Sequence, residues 1–316
     1  MAQTELHRHL DVSLRPSTLL RLAQERGLEA QSTSLARFEE KLILRKPLKD
    51  LSEVLGTFVL FQKVLDRPEV LEQVGFEVVE DLWNEGTRIG ELRFSPSFVS
   101  EYSGLSWEEV LAGFERGVAH AIAKYPKMKI GLLCIASRDY GVDAAQKTVD
   151  FYLQHQTRFA GVDLAGNENQ FPCRMFEGVF KKARAAGARI TIHAGEDSGP
   201  ENIWEAIELL GAQRIGHGIS AVQDPELLKH LTKHSICLEM CPTSNWLTRA
   251  VPSFEAHPLP LALRAGVPVC INTDDPAVFG VTLQDEMRIA REKIGLSEAE
   301  LRLCETHAEK NSFVQK

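Results

Sequence analysis

The sequence predicts an α/β protein, a (β/α)₈ TIM barrel with a helical insertion after its first strand, and three observations carry that prediction. Short apolar or β-branched runs recur eight times, stretches of helical periodicity separate most of them, and no linker, repeat or second composition regime interrupts the 316 residues. Strand, helix, strand repeated in this way makes a parallel sheet, and eight repeats favour closure over an open doubly wound sheet. The expectation is one barrel domain over residues 1–316, with the insertion at about 14–85.

Taken in order, the expected strands are "TELHRHL" at 4–10, "ELRFSP" at 91–96, "KIGLLCIAS" at 129–137 and "GVDLAG" at 161–166. They continue with "RITIHAG" at 189–195, "RIGHGI" at 214–219, "ICLEMCP" at 236–242 and "VPVCINTDD" at 267–275. Helical periodicity fills "FEGVFKKARAAG", "ENIWEAIELLG" and "DPELLKHLTKH", and the first two end on Gly187 and Gly211, where a helix C-terminus should turn into the next strand. The insertion reads as helical in "STLLRLAQERGL" at 17–28 and again over 51–86. An insertion after a barrel's first strand lies over the active-site face, so it serves either as a lid or as a packing subdomain.

Composition narrows the function classes. With 36 Lys+Arg against 44 Asp+Glu the net charge is -8, which argues against nucleic acid or an anionic membrane as partner, since both need a concentrated positive field. A small-molecule partner is expected. No secretory h-region opens the chain and no apolar stretch approaches the roughly 20 residues of a membrane span, so a cytoplasmic location is expected. Cys134, Cys173, Cys237, Cys241, Cys270 and Cys304 are scattered, several in apolar runs, as reduced core cysteines are; they suggest neither a disulfide framework nor a cysteine zinc knuckle.

In a barrel the chemistry collects at the C-terminal ends of the strands, and the unusual polar residues of this chain fall there. His7 and His9 close the first strand, and because side chains alternate they point the same way, into the mouth. A pair of this kind alone is more often a hydrogen-bonded feature of the core. His193 at the fifth strand and Asp274 at the eighth change the balance, because three imidazoles and a carboxylate suit Zn²⁺ or a similar divalent ion. Glu196, three residues beyond His193, can reach past a metal as proton donor or acceptor, against the blander role of a helix N-terminal charge. Asp274 and Asp275 stand side by side in an apolar strand, which is costly unless each has a cation or donor; one of them can instead cap the next helix. His217, between two glycines, is either a ligand or a group that holds the attacking water, and spacing leaves both open.

The motifs "ELHRHLD", "VDLAGNE", "ITIHAGE", "RIGHG", "CPTSN" and "NTDDP", in this order from Glu5 to the "NSF" that includes Ser312, resemble the adenosine deaminase family of the amidohydrolase superfamily. The resemblance implies one zinc ion per chain in the mouth of a barrel, with His7, His9, His193 and Asp274 matching its ligands. It further implies that Glu196 protonates purine N1, that His217 orients the attacking water and that Asp275 holds that water and the leaving amine. Gly166 matches the backbone donor to purine N3, and Asp11 the aspartate that contacts the ribose 5′ hydroxyl. The cytidine-deaminase pattern, H-x-E with P-C-x-x-C, is absent, since "FPCRMF" has no second cysteine. "GVDLAGNE" also lacks the fourth-strand lysine that usually bridges the metals of binuclear relatives.

One departure concerns the sugar end of the pocket. Where the family usually reads "HLDG" this chain has Val12, which is stiffer and ill suited to a positive φ. Arg8 and Arg15, nearby, read as surface residues. "DLAGNE" resembles nucleoside deaminases more than adenine deaminases, whose segment tends to read "LDSSE", so adenosine and 2′-deoxyadenosine lead as substrates. The alternatives are 6-amino-6-deoxyfutalosine or another 5′-modified adenosine, adenine itself, a TatD-like metal-dependent nuclease, and a non-catalytic purine-binding protein.

Overall fold

The computed structural model describes residues 3–49 and 56–314. Its strands are β1 Gln3–His9, β2 Thr87–Phe94, β3 Lys129–Ser137, β4 Gly161–Ala165, β5 Thr191–Ala194, β6 Arg214–His217, β7 Cys237–Met240 and β8 Val269–Ile271. All eight expected runs are strands, β2 starting at Thr87 rather than Glu91. Pairing is parallel throughout, in two halves of order β1-β2-β3-β4 and β5-β6-β7-β8. Bridges Val162 to Ile190 and Arg8 to Asp274 join the halves at both seams and close the barrel. At the second seam the His9 N–H donates to the Asp274 carbonyl at 3.0 Å and the Asp274 N–H to the His7 carbonyl at 2.9 Å. Three of the residues singled out from sequence are thereby tied together by backbone alone.

Every residue of β4 to β8 is buried, as strands covered on both faces require. The barrel interior, however, is not wholly apolar. Glu239 of β7 accepts from Arg93 Nη2 at 2.7 Å, Arg214 Nε at 2.5 Å and Thr191 Oγ1 at 2.9 Å, while Arg214 Nη2 reaches Glu91 at 2.6 Å. Stripping one partner from such a network leaves an uncompensated buried charge at about 3–5 kcal/mol, so these charges are held as a set. All six cysteines are free and buried.

Between β1 and β2 lie four described helices, α1 Pro16–Glu25, α2 Leu35–Leu42, α3 Val59–Val64 and α4 Pro68–Asn84. The helix expected over 51–86 is divided, because Pro68 cannot continue α3 and holds Arg67 extended as the N-cap of α4; residues 51–55 of that expectation lie outside the described residues. The segment after α2 is pinned over the mouth by Leu44 N–H to the Val278 carbonyl at 2.8 Å and Leu48 N–H to the Leu247 carbonyl at 3.0 Å. Arg8 is not at the surface as its sequence context suggested. It alternates with His7 and His9, faces away from the mouth and is buried against Glu85 at 3.3 Å. Arg15 is partly buried, paired with Asp81 at 2.6 Å and Glu80 at 2.9 Å. Among the described residues no helix is long and apolar enough to cross a membrane.

Glu286, fully buried, accepts the Thr243 N–H at 3.2 Å, and burial raises its carboxyl pKa to about 8. A raised folded-state pKa contributes stability that is complete below the unfolded value of 4.5 and is lost as pH climbs through about 8. Thermal melts are expected to show wild type losing stability between pH 5 and 8 relative to Glu286→Gln, which stays neutral; parallel pH profiles would contradict this.

Candidate active site

The strand ends bring the expected residues together. His7 and His9 alternate on β1 so that both reach the mouth, with ring centroids 5.6 Å apart. The His193 ring lies 4.5 Å from that of His7 and 5.4 Å from that of His9, and the His217 ring 4.8 Å from that of His7. Asp274 Oδ1 stands 3.4 Å from His7 Nε2 and 3.3 Å from His9 Nε2. Ligand atoms of His7, His193, His217 and Asp274 all fall within 4.8 Å of one another, and His9, Asp274 and Asp275 form an overlapping group. Asp274 is the residue common to both. His217 and Asp274 take left-handed backbone, φ 59° and 61°, a conformation costing a non-glycine residue about 1–3 kcal/mol that is kept where it aims a side chain.

Behind these imidazoles stand two carboxylates that sequence reasoning missed. His7 Nδ1 lies 2.8 Å from Glu239 Oε2, and His193 Nδ1 lies 3.0 Å from Asp163 Oδ2. Arg93 bridges the pair, 2.7 Å from each. A carboxylate can only accept, so each ring donates from Nδ1 and turns an Nε2 lone pair toward the cluster. His7 Nε2 is buried with no hydrogen-bond partner. A buried lone pair without a donor, beside a second oriented imidazole and a carboxylate, fits a bound cation. Burial lowers the His193 pKa to about 4, so the ring is neutral. The adjacent acids divide: against its burial, Asp274 is held well below the usual carboxylate range. Burial, then the charge of Asp274, push Asp275 well above that range. Asp275 begins the helix Pro276–Phe279 without capping it through its side chain, and its Oδ1 is buried without a partner, which removes the capping role.

Glu196 is largely buried at the same mouth, its Oε2 3.5 Å from His217 Nε2 and its Oε1 3.3 Å from Thr248 Oγ1. Burial, then the charges of Asp274 and Glu168, push its pKa well above normal, which favours the protonated form that can give a proton. The turn that carries it is built by Glu168 of the "AGNE" segment. That carboxylate accepts the N–H groups of Gly195, Glu196, Asp197 and Ser198 at 2.8, 2.7, 2.6 and 3.1 Å and the Asn202 amide at 2.6 Å. Gly195 has φ +72°, and a Cβ there would lie 2.5 Å from Ile203 Cδ1 and Ser220 Oγ, so the turn admits only glycine.

These residues open into a cavity of about 420 Å³, in the range of small-molecule sites. Asp11, Gly166, Glu196, His217, Asp274 and Asp275 line it, as do Phe58 and Gln62 of the insertion. Asp11 accepts the Ser95 N–H at 2.9 Å, and burial raises its pKa to about 6. Gly166 has φ +107°, and a Cβ there would lie 2.1 Å from Asp139 Oδ2. Val12 also lines the cavity, within a 3₁₀ turn at negative φ, so the valine is accommodated without the strain that a left-handed conformation would impose.

A closed parallel barrel carrying an imidazole–carboxylate cluster and a further carboxyl, Glu196, at its mouth defines a metal-dependent barrel hydrolase. A family model described as adenosine deaminase matches residues 2–316. The adenosine deaminase of Yersinia enterocolitica is 39% identical over 98% of this chain and 93% of its own. In crystal structures, an adenine deaminase from Arthrobacter aurescens aligns with TM-score 0.90 at 28% identity, covering 99% of this chain and 94% of that one. A Burkholderia ambifaria amidohydrolase with bound zinc aligns with TM-score 0.90 at 26% identity, covering 99% and 86%. The chain belongs to the adenosine deaminase family, and it is a hydrolytic deaminase.

Proposed function

We propose that residues 1–316 form one catalytic barrel domain that binds a single zinc ion and converts adenosine or 2′-deoxyadenosine to the 6-oxo purine and ammonia. The observation that carries this reading is Glu196, a largely buried acid with a raised pKa beside the His7, His193 and Asp274 cluster at the mouth of one cavity. In this reading His7, His9, His193 and Asp274 hold the zinc. A bound divalent ion supplies acidified water, its pKa lowered from 15.7 to about 7. Purine C6 is a poor electrophile until N1 is protonated, and Glu196 delivers that proton. Asp275 receives the leaving amine, the Gly166 N–H holds N3, and Asp11 meets the 5′ hydroxyl.

A nucleoside is favoured over a nucleotide by charge. Among the described residues lining the cavity there is no lysine or arginine, whereas Asp11, Asp139, Glu196, Asp274 and Asp275 all line it. A 5′-phosphate would find no lysine or arginine lining the cavity to offset its desolvation, and a nuclease would lack its phosphate grip. The test is ammonia release and the ultraviolet shift from 6-amino to 6-oxo purine across adenine, adenosine, 2′-deoxyadenosine, methylthioadenosine, adenosine monophosphate and 6-amino-6-deoxyfutalosine. Adenosine and 2′-deoxyadenosine are expected to lead, with the monophosphate at least about 10²-fold poorer in kcat/KM, a difference of roughly 2.7 kcal/mol. Val12→Gly is expected to widen tolerance for 5′ substituents; preference for the monophosphate, or an unchanged ranking in the variant, would overturn these assignments in turn.

A further inference from the structure

Within the deaminase reading, we infer that Asn245 and His257 are positioning residues that fix His217 with its proton on Nε2, making it a hydrogen-bond donor to the reacting oxygen and barring it from the metal. The deduction starts from a group whose hydrogen-bonding role is fixed. The backbone N–H of Leu259 lies 3.2 Å from His257 Nδ1, and an N–H can only donate, so that nitrogen carries a lone pair. His257 is buried, and burial lowers its pKa to about 3, so the ring is neutral and its single proton sits on Nε2. His257 Nε2 lies 3.1 Å from the Asn245 side chain, whose facing atom must therefore be the oxygen. The other end of the amide, a nitrogen that can only donate, is 3.0 Å from His217 Nδ1. The lone pair of His217 is thus spent on Nδ1, and a ring with a lone pair there carries its single proton on the other nitrogen. Its proton is on Nε2, 3.5 Å from Glu196 Oε2 and 3.9 Å from Asp274 Oδ2.

The chain from Leu259 sorts three neighbouring imidazoles by the chemistry of the partner behind them. Carboxylates stand behind His7 and His193, which keep Nε2 as a lone pair, whereas an amide nitrogen stands behind His217, which turns Nε2–H into the mouth. A group in that state donates to an oxygen lone pair near Glu196 and cannot take a proton through Nε2. It also keeps His217, although within ligating distance of the cluster, from offering Nε2 to a metal.

The test is long-range ¹H–¹⁵N NMR of the metal-loaded protein labelled at histidine nitrogens, with His257→Gln used to assign one ring. Wild type is expected to show protonated Nε2 and unprotonated Nδ1 on both His217 and His257. Asn245→Asp, which can only accept, is expected to move the His217 proton to Nδ1 and lower kcat by about 10²-fold or more, with metal content and KM within about twofold. His257→Gln keeps a donor toward Asn245 and is expected to retain the His217 ring pattern and most of kcat; His257→Leu frees the amide to turn and is expected to lose both. A wild-type His217 protonated on Nδ1, or normal kcat and an unchanged ring in Asn245→Asp, would overturn the inference. The expected ring pattern without turnover of any nucleoside would overturn the deaminase reading while leaving the proton placement supported.

Discussion

Glu196→Gln is expected to lower kcat for adenosine by about 10²–10⁴-fold, the span a well-placed general acid supplies, while metal content and affinity for an unreactive purine nucleoside stay within about twofold. The amide keeps the shape of the side chain and its contact with Thr248 Oγ1, but it has no acidic proton for N1. Position is preserved because the turn is built by Glu168 and by the glycine at 195, not by Glu196 itself. The pH dependence carries a second sign. A carboxyl raised well above its ordinary value donates only while protonated, so wild-type kcat is expected to fall as pH rises through that raised value. Steady-state ultraviolet assays across pH, with calorimetric binding of the unreactive nucleoside, measure both. A variant with near-normal kcat would remove Glu196 as the acid; a variant that has lost nucleoside binding would make it a binding group.

The strands and most of the candidate site are legible in the sequence because local pattern determines them. Alternation on β1 puts His7 and His9 on one side, and Asp274 stands beyond the apolar run of β8, where a parallel barrel opens. What was missed depends on contacts across the barrel. Asp163 and Glu239 read as single charges inside the apolar stretches "GVDLA" and "ICLEM", and their partners come from β1, β2, β5 and β6. The signal was present, since a charge in a doubly covered strand needs a partner, but nothing local names that partner. Glu168 lay inside a recognised motif, yet its role as acceptor for four successive N–H groups depends on a turn 27 to 30 residues away. Asn245 and His257 are harder still, because their effect on His217 runs through hydrogen-bond direction, which no spacing encodes. The buried position of Arg8 follows from the same alternation that aims its neighbours, once α4 is known to cover that face.

His193→Ala is expected to lose metal and activity together, from near one equivalent per chain to a small fraction of it after dialysis, with no measurable turnover. The ring is one of two in the cluster whose Nδ1 is committed to a carboxylate, so its removal takes a preoriented lone pair from the cluster and leaves Asp163 with Arg93 alone. Asp163→Asn separates the two effects. It keeps His193 but replaces a charged acceptor with an amide, and loss of such an outer partner typically weakens metal binding by about 10–100-fold. The metal titration of Asp163→Asn should therefore fall between wild type and His193→Ala, and saturating metal should restore much of its rate but none of the rate of His193→Ala. If His193→Ala instead binds a full equivalent and turns over normally, the ion is held by His217 with Asp274, and the division of imidazoles by their partners fails with it. If both variants lose metal equally, Asp163 contributes more than orientation, and the Arg93 bridge to Glu239 carries the loss on to His7.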